Sequence, residues 1–199
     1  MEQYNVALSG VGGQGVMTVS EVLALAAARE NMPVSVFEGT GIAQRGGPVF
    51  GFVRLGRVYS PKIPLGHADV IIGLEISEVG SMLPYLRNQG EVWLSSGRVD
   101  GYHTKLRPSI YPSRETIESV IRKKTSHLHI IPAERLAREA GSPRAVNMVM
   151  LGAFMSQNNV VGSDSVIWAI EHVSPKFASS NVKAFRKGMA FGRKEASGP

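Results

Sequence analysis

The chain contains no cysteine, which excludes disulfides, thiolate metal sites, a cysteine nucleophile and any iron–sulfur cluster ligated by its own residues. Redox chemistry would need a cofactor held elsewhere. No apolar run approaches the roughly 20 residues of a membrane span. The first residues, Met1-Glu2-Gln3-Tyr4, lack the basic region and apolar core of a secretory leader. The expectation is a soluble, cytoplasmic protein that does not engage a membrane. A concentrated basic stripe is also missing: the densest basic run is Arg122-Lys123-Lys124, and aromatics are only 7% of the chain. A nucleic-acid binder would cluster both, so no nucleic-acid partner is expected. Internal repeats and low-complexity tracts are absent as well.

What is present is a chain of 199 residues with 43% hydrophobic content, a size and composition that suit one compact domain with a substantial core. We read residues 1–199 as one domain, with Glu195 to Pro199 as a frayed tail of small and polar residues. Lys and Arg number 22 against 16 Asp and Glu, a formal charge of +6. That excess favours contact with phosphates or carboxylates.

The first forty residues read as strand, glycine turn, helix, strand. Asn5–Ser9 is a short apolar run of strand length. Val16–Arg29 places Val16, Val19, Leu23, Ala26 and Ala27 at helical spacing, and Val34–Phe37 follows Pro33 as a second strand. This is the grammar of a parallel βαβ unit. Val49–Leu55 reads as a strand, and the Gly56-Arg57 step before Val58-Tyr59 suggests an antiparallel hairpin. Then come a strand at Ala68–Leu74, a helix at Ser77–Asn88 that Pro84 kinks or ends, and a strand at Glu91–Ser95. A helix over Ser113–Lys124 has Ser113 as its N-cap, and His127–Ile131 is a strand. Four helices complete the chain, over Ala133–Ala140, Arg144–Gln157, Ser163–Val173 and Ser179–Lys194. The expected fold is a three-layer α/β/α arrangement around a mostly parallel, Rossmann-like sheet, with an antiparallel hairpin and a helical C-terminal region.

Two glycine-rich loops carry the chemistry. Gly10-Val11-Gly12-Gly13-Gln14-Gly15 fits G-x-G-x-x-G between a strand and a helix, and Glu38 follows 23 residues after Gly15. Such a loop lets backbone approach a phosphate and aims helix N-terminal amides at an anion. An NAD-binding site meets this pattern formally. A tight strand-to-helix crossover with close helix–sheet packing meets it equally. The second loop, Thr40 to Gly47, bears Gln44, Arg45, Gly46 and Gly47. In an open α/β sheet, loops after neighbouring parallel strands open on one edge, so the two should lie side by side. Arg45 would bind a phosphate or carboxylate with its two-pronged fork, or pair with Glu38 or Glu75.

The two loops, GVGGQGV followed by GIAQRGG, resemble the gamma domain of the 2-oxoacid:ferredoxin oxidoreductases. The resemblance continues through Arg54, Tyr59-Ser60-Pro61-Lys62-Ile63-Pro64, Ala68-Asp69-Val70-Ile71-Ile72, Leu74-Glu75 with Glu78, Leu83-Pro84-Tyr85-Leu86, Asn147 to Ala153 and Asn181 to Gly188. Within the family, Ala43-Gln44-Arg45-Gly46-Gly47 with Tyr59-Ser60-Pro61 and Leu83-Pro84-Tyr85-Leu86 is most similar to the beta subunit of indolepyruvate oxidoreductase. The resemblance implies a non-catalytic small subunit. Its large alpha-subunit partner would hold thiamine diphosphate, magnesium and the iron–sulfur clusters, and the complex would oxidatively decarboxylate an aryl 2-oxoacid to its acyl-CoA, with ferredoxin accepting the electrons. By this implication the isolated chain is inactive, holds no cofactor or metal alone and supplies no catalytic residue. Its site residues would be Gly10, Gly12, Gly13, Gln14, Gly15, Thr40, Gln44, Arg45, Gly46 and Gly47, forming an anion-receptive edge that contacts CoA phosphates or caps the active site. The family's twofold assemblies make a homodimer of the isolated chain a further expectation. The alternative is a stand-alone NAD- or CoA-binding protein.

His127 and His129 alternate along one strand, yet no third or fourth ligand accompanies them, so no metal site is expected. Ser9, Ser95 and Ser96 end strands without a nucleophile elbow around them. Asn147 lies on an apolar helix, where its amide must find partners, and the backbone of a neighbouring loop is the natural candidate.

Overall fold

The computed structural model describes residues 3–40, 47–98 and 113–196. Strands β1 (Gln3–Val11), β2 (Val34–Thr40), β3 (Pro48–Gly56), β4 (Ala68–Gly73), β5 (Leu86–Ser95) and β6 (Leu128–Ile131) form one sheet in the order β2-β3-β1-β4-β5-β6. β1, β4, β5 and β6 pair in parallel, whereas β3 runs antiparallel to both of its neighbours, β1 and β2. The sheet is covered on both faces. Helices α1 (Val16–Arg29), α4 (Ala133–Glu139), α5 (Val146–Met155), α6 (Ser163–Val173) and α7 (Ala178–Ala196) share one core with Val6 and Leu8 of β1. Helices α2 (Ile76–Met82) and α3 (Arg114–Lys124) share the other with Ala7. Because β1 is buried on both sides, its sequence reads as a continuous apolar run rather than an alternating one.

Four local readings change. β1, α1 and β2 do form a crossover between strands of one direction, but β3 lies between β1 and β2, so those two do not pair. The antiparallel partners of β3 are β1 and β2, and Val58-Tyr59 forms no strand. The helix expected over Ser77–Asn88 stops at Met82. Leu83–Tyr85 is a 3-10 turn carrying Pro84, and β5 starts at Leu86. Proline lacks the N–H that the next helical turn requires. The Ser113 hydroxyl accepts from the Thr116 amide at 3.2 Å and caps α3 as expected. Glu195 and Ala196, placed in a frayed tail by the sequence, belong to α7.

Two features fix the layers. The amino end of β1 is tied by charge: the buried Arg54 donates from Nε to Asn5 Oδ1 at 2.8 Å and from Nη1 to the carbonyls of Ser60 and Lys62 at 2.8 and 3.0 Å. Asn5 in turn donates its backbone N–H to Asp69 and its side-chain amide to the His67 carbonyl, and Asp69 pairs with Arg87 at 2.9 Å. The second feature is a seam of glycines between α5 and α7. A Cβ on Gly152 would lie 2.0 Å from the Phe185 carbonyl oxygen, and one on Gly188 would lie 2.0 Å from that of Val149. The two backbones therefore touch, and α7 is locked against the core.

Candidate functional site

β1 and β4 are adjacent and parallel, yet the helices that follow them, α1 and α2, pack on opposite faces of the sheet. That divergence makes the carboxyl ends of the two strands a topological switch point, the place where open α/β sheets bind ligands. The first glycine loop forms one lip and Leu74-Glu75 the other.

Gln14 latches the lips together. Its Oε1 accepts from the Val11 amide at 2.9 Å and its Nε2 donates to the Leu74 carbonyl at 3.1 Å, so both ends of the side chain are used within the chain. Gly10 has no room for a larger side chain, since a Cβ would lie 2.8 Å from Gln14 Oε1. Gly15 is fixed twice over: its φ of 80° is left-handed, and a Cβ would stand 2.3 Å from Asn147 Nδ2. Asn147 finds the partners anticipated for it, donating to the Gly15 carbonyl at 3.3 Å and accepting from the Met148 amide at 2.9 Å. Glu75 is fully buried and caps α2, accepting from Ser77 N at 2.6 Å.

The second loop meets the first. The Gly12 amide donates to the Gly47 carbonyl at 3.0 Å, and Thr40 of β2, Val49 of β3 and Gly10 of β1 lie in one row across the sheet. Thr40 and Gly47, the described ends of the second loop, therefore stand at the same sheet edge as the first loop. Gln44, Arg45 and Gly46 lie outside the described residues.

Helix α1 begins at this edge with no side-chain cap and no acidic residue in its first turn. Its positive end is thus uncompensated by any side chain, the arrangement that suits an anion. Beside it is a cavity of about 250 Å³, bounded by Gly13, Gly15 and Thr18 on one side and by Arg144, Asn147, Phe177 and Asn181 on the other. Arg144 is the charged member of that lining and is exposed, and Phe177 is 55% exposed. A cation, an aromatic face, amides and an uncapped helix terminus can hold a phosphorylated ligand with an apolar or aromatic portion. Of the far wall, Asn147 is legible in sequence as an amide on an apolar helix and Asn181 as part of the family pattern, whereas Arg144 and Phe177 are not. Those two stand more than a hundred residues after the glycine loop, as an arginine ahead of an apolar helix and a phenylalanine in a polar turn.

The NAD reading loses its geometry. Glu38 pairs with Gly51 of β3 and so stands two strand spacings from β1, about 10 Å. In a dinucleotide site the acidic residue ends the strand next to the glycine loop. Among the serines, Ser95 donates to Glu134 at 3.2 Å, and the buried Ser9 hydroxyl has no hydrogen-bond partner. The His129 ring stacks on Trp93 with centroids 4.0 Å apart, and burial holds its pKa below the ordinary value. His127 precedes the strand, and no group of three His, Asp or Glu side chains suited to a metal ion occurs among the described residues.

Residues 5–191 match the family model described as pyruvate ferredoxin/flavodoxin oxidoreductase. The indolepyruvate oxidoreductase subunit IorB of Methanothermobacter thermautotrophicus is 32% identical over 187 residues, covering 93% of this chain and 95% of that one. Among solved structures, the 2-oxoglutarate:ferredoxin oxidoreductase of Magnetococcus marinus, with 2-oxoglutarate, coenzyme A and succinyl-CoA bound, superposes with a TM-score of 0.74 at 19% identity, covering 97% of this chain and 31% of that one. The keto/oxoacid ferredoxin oxidoreductase gamma subunit of Geobacter sulfurreducens gives 0.68 at 21% identity, covering 95% of this chain and 98% of that one.

Proposed function

The chain belongs to the pyruvate ferredoxin/flavodoxin oxidoreductase family, and from that membership we propose that it is the small subunit of an oxidoreductase acting on indolepyruvate or a related aryl 2-oxoacid. The subtype rests on the likeness to indolepyruvate oxidoreductase subunits at full length. The reaction is oxidative decarboxylation with CoA, giving the acyl-CoA, carbon dioxide and reduced ferredoxin.

With no cysteine, this chain cannot ligate an iron–sulfur cluster. The clusters, thiamine diphosphate and magnesium fall to a large partner subunit. Thiamine diphosphate, when bound there, supplies the carbanion chemistry and the clusters take single electrons. The residues of this chain bind and position. Gly10 to Gly15 and Thr40 to Gly47 form an anion-receptive edge turned toward the partner. The uncapped end of α1 faces a phosphate of CoA, Arg144 adds a positive charge beside it, and Gln44 and Arg45 contribute side chains from the second loop. The Gln14 latch holds the edge in shape without spending a ligand-binding group.

The observation that carries this reading is the junction of the two glycine loops at the switch point, through the Gly12–Gly47 hydrogen bond. Anaerobic co-purification on the tagged chain, with iron and thiamine assays of what accompanies it, tests the assembly. A large, cysteine-rich, iron-containing partner is expected, and an iron-free chain without a partner would overturn the reading. Arg45→Ala is expected to lower turnover in CoA-dependent assays while leaving the assembly intact. Unchanged kinetics would remove the second loop from the site.

A further inference from the structure

The helix locked down by the glycine seam presents a very different surface on its outer side. Lys183, Arg186, Lys187, Ala190, Phe191 and Lys194 of α7 recur at helical spacing, and with Arg135 and Leu136 of α4 they bound a groove of about 900 Å³. From Lys183 to Lys194 the groove follows about three turns of helix, roughly 16 Å. Its floor is apolar, with the half-buried Phe191 resting on the core and Ala190 open to solvent. Five cations line it against a single acid, Glu139, and that acid is already occupied by Lys187 at 2.8 Å and Arg135 at 3.1 Å. Those two cations hold the Glu139 carboxyl below its ordinary pKa. Lys183, Arg186 and Lys194 have no ion-pair partner among the described residues. Lys183 and Arg186 also line a neighbouring cavity of about 570 Å³ toward the start of α7, which Glu171 borders as well.

A solvated basic face needs no apolar floor, and a core-facing stripe would not carry unpaired like charges that repel one another. Together they describe a helix-in-groove docking site for a segment of opposite charge. We infer that the α4–α7 groove receives an acidic amphipathic helix of the partner subunit, its apolar residues on Leu136, Ala190 and Phe191 and its carboxylates on Lys183, Arg186 and Lys194. This inference rests on the subunit reading, and it adds which surface docks and what chemistry the docked segment has. The groove is built from α4 and α7 and shares no lining residue with the cavity at the glycine loops.

The test uses the assembled complex, with a photo-crosslinking amino acid in place of Ala190 and sequencing of the cross-linked peptide. The expected product joins position 190 to an acidic helical segment of the partner. Lys183→Glu combined with Lys194→Glu is expected to weaken subunit association about 30-fold while the circular dichroism spectrum is unchanged, and reversing the charge of the mapped segment should restore it. In the unsubstituted complex, raising salt should weaken association more than it does in the charge-reversed one. A complex that assembles fully but gives no cross-link at position 190, or one to a second copy of this chain or to a neutral surface, overturns the groove assignment and leaves the subunit reading standing. Absence of any partner overturns both.

Discussion

The two ends of β1 are held by opposite means. At the amino end the fold uses side chains: a buried guanidinium, an amide and a carboxylate lock the 60–62 segment and the start of β4 to the strand. At the carboxyl end it uses backbone: the glycine loop is tied by Gly12 to Gly47, and one neutral side chain, Gln14, bridges to Leu74. The first arrangement spends Nε and Nη1 of its guanidinium within the chain. The second leaves a helix terminus uncapped and an arginine exposed beside it. An end that only has to be stable can satisfy its own polar groups, whereas the proposed binding role asks the other end to keep some of them open.

Substitutions at the two ends should separate these roles. Arg54→Met is expected to have the largest effect on stability, about 3 kcal/mol, because two carbonyls and the Asn5 oxygen lose a charged donor. Chemical denaturation measures it, and CoA affinity of the complex at sub-denaturing conditions should be unchanged. Gly15→Ala follows, at about 2 kcal/mol from the left-handed backbone and the contact with Asn147. Here CoA affinity should fall as well, which distinguishes the carboxyl end from the amino end. Gln14→Ala should cost about 1 kcal/mol, with CoA affinity reduced several-fold as the lips separate, read by calorimetry on the complex. Tyr4→Phe should change stability least at neutral pH, since the Tyr4 hydroxyl makes one long hydrogen bond, 3.3 Å to Asn158. Its signature is in alkali. Burial first, then the nearby Glu91 and Asp69 carboxylates, raise the Tyr4 pKa above its ordinary value of 10.0. The unfolded chain therefore loses this proton near pH 10 while the folded chain keeps it, so stability is full below that pH and declines as pH rises through the folded pKa. Thermal melts between pH 9 and 11 should show a shallower decline in the phenylalanine variant.

The sequence exposed some of this and concealed the rest for physical reasons. Helical spacing located α1 and α6 to within a residue, and the Ser113 cap was visible because capping is local. Strand order was not visible. β3 contributes Val49, Val53 and Leu55 to one core and Phe52 to the other, so its run of apolar residues carries no mark of which neighbours it will pair with. The charged Arg54 inside that run is the local signal of the clamp, and in the sequence it stands out only as part of a family pattern. The near wall of the candidate cavity was legible as G-x-G-x-x-G. The far wall, with Arg144, Phe177 and Asn181, depends on how α5 and α7 pack, which no local pattern encodes.

The position of β3 also bears on how the chain assembles during synthesis. β1 is made before both of its neighbours, β3 after residue 47 and β4 after residue 67. The Gln14 latch cannot close until Leu74 has been made. Until then β1 and α1 lack their sheet neighbours, and their apolar residues stay exposed until the middle strands arrive. The glycine loop takes its final shape only once a residue 60 positions further along the chain has been made.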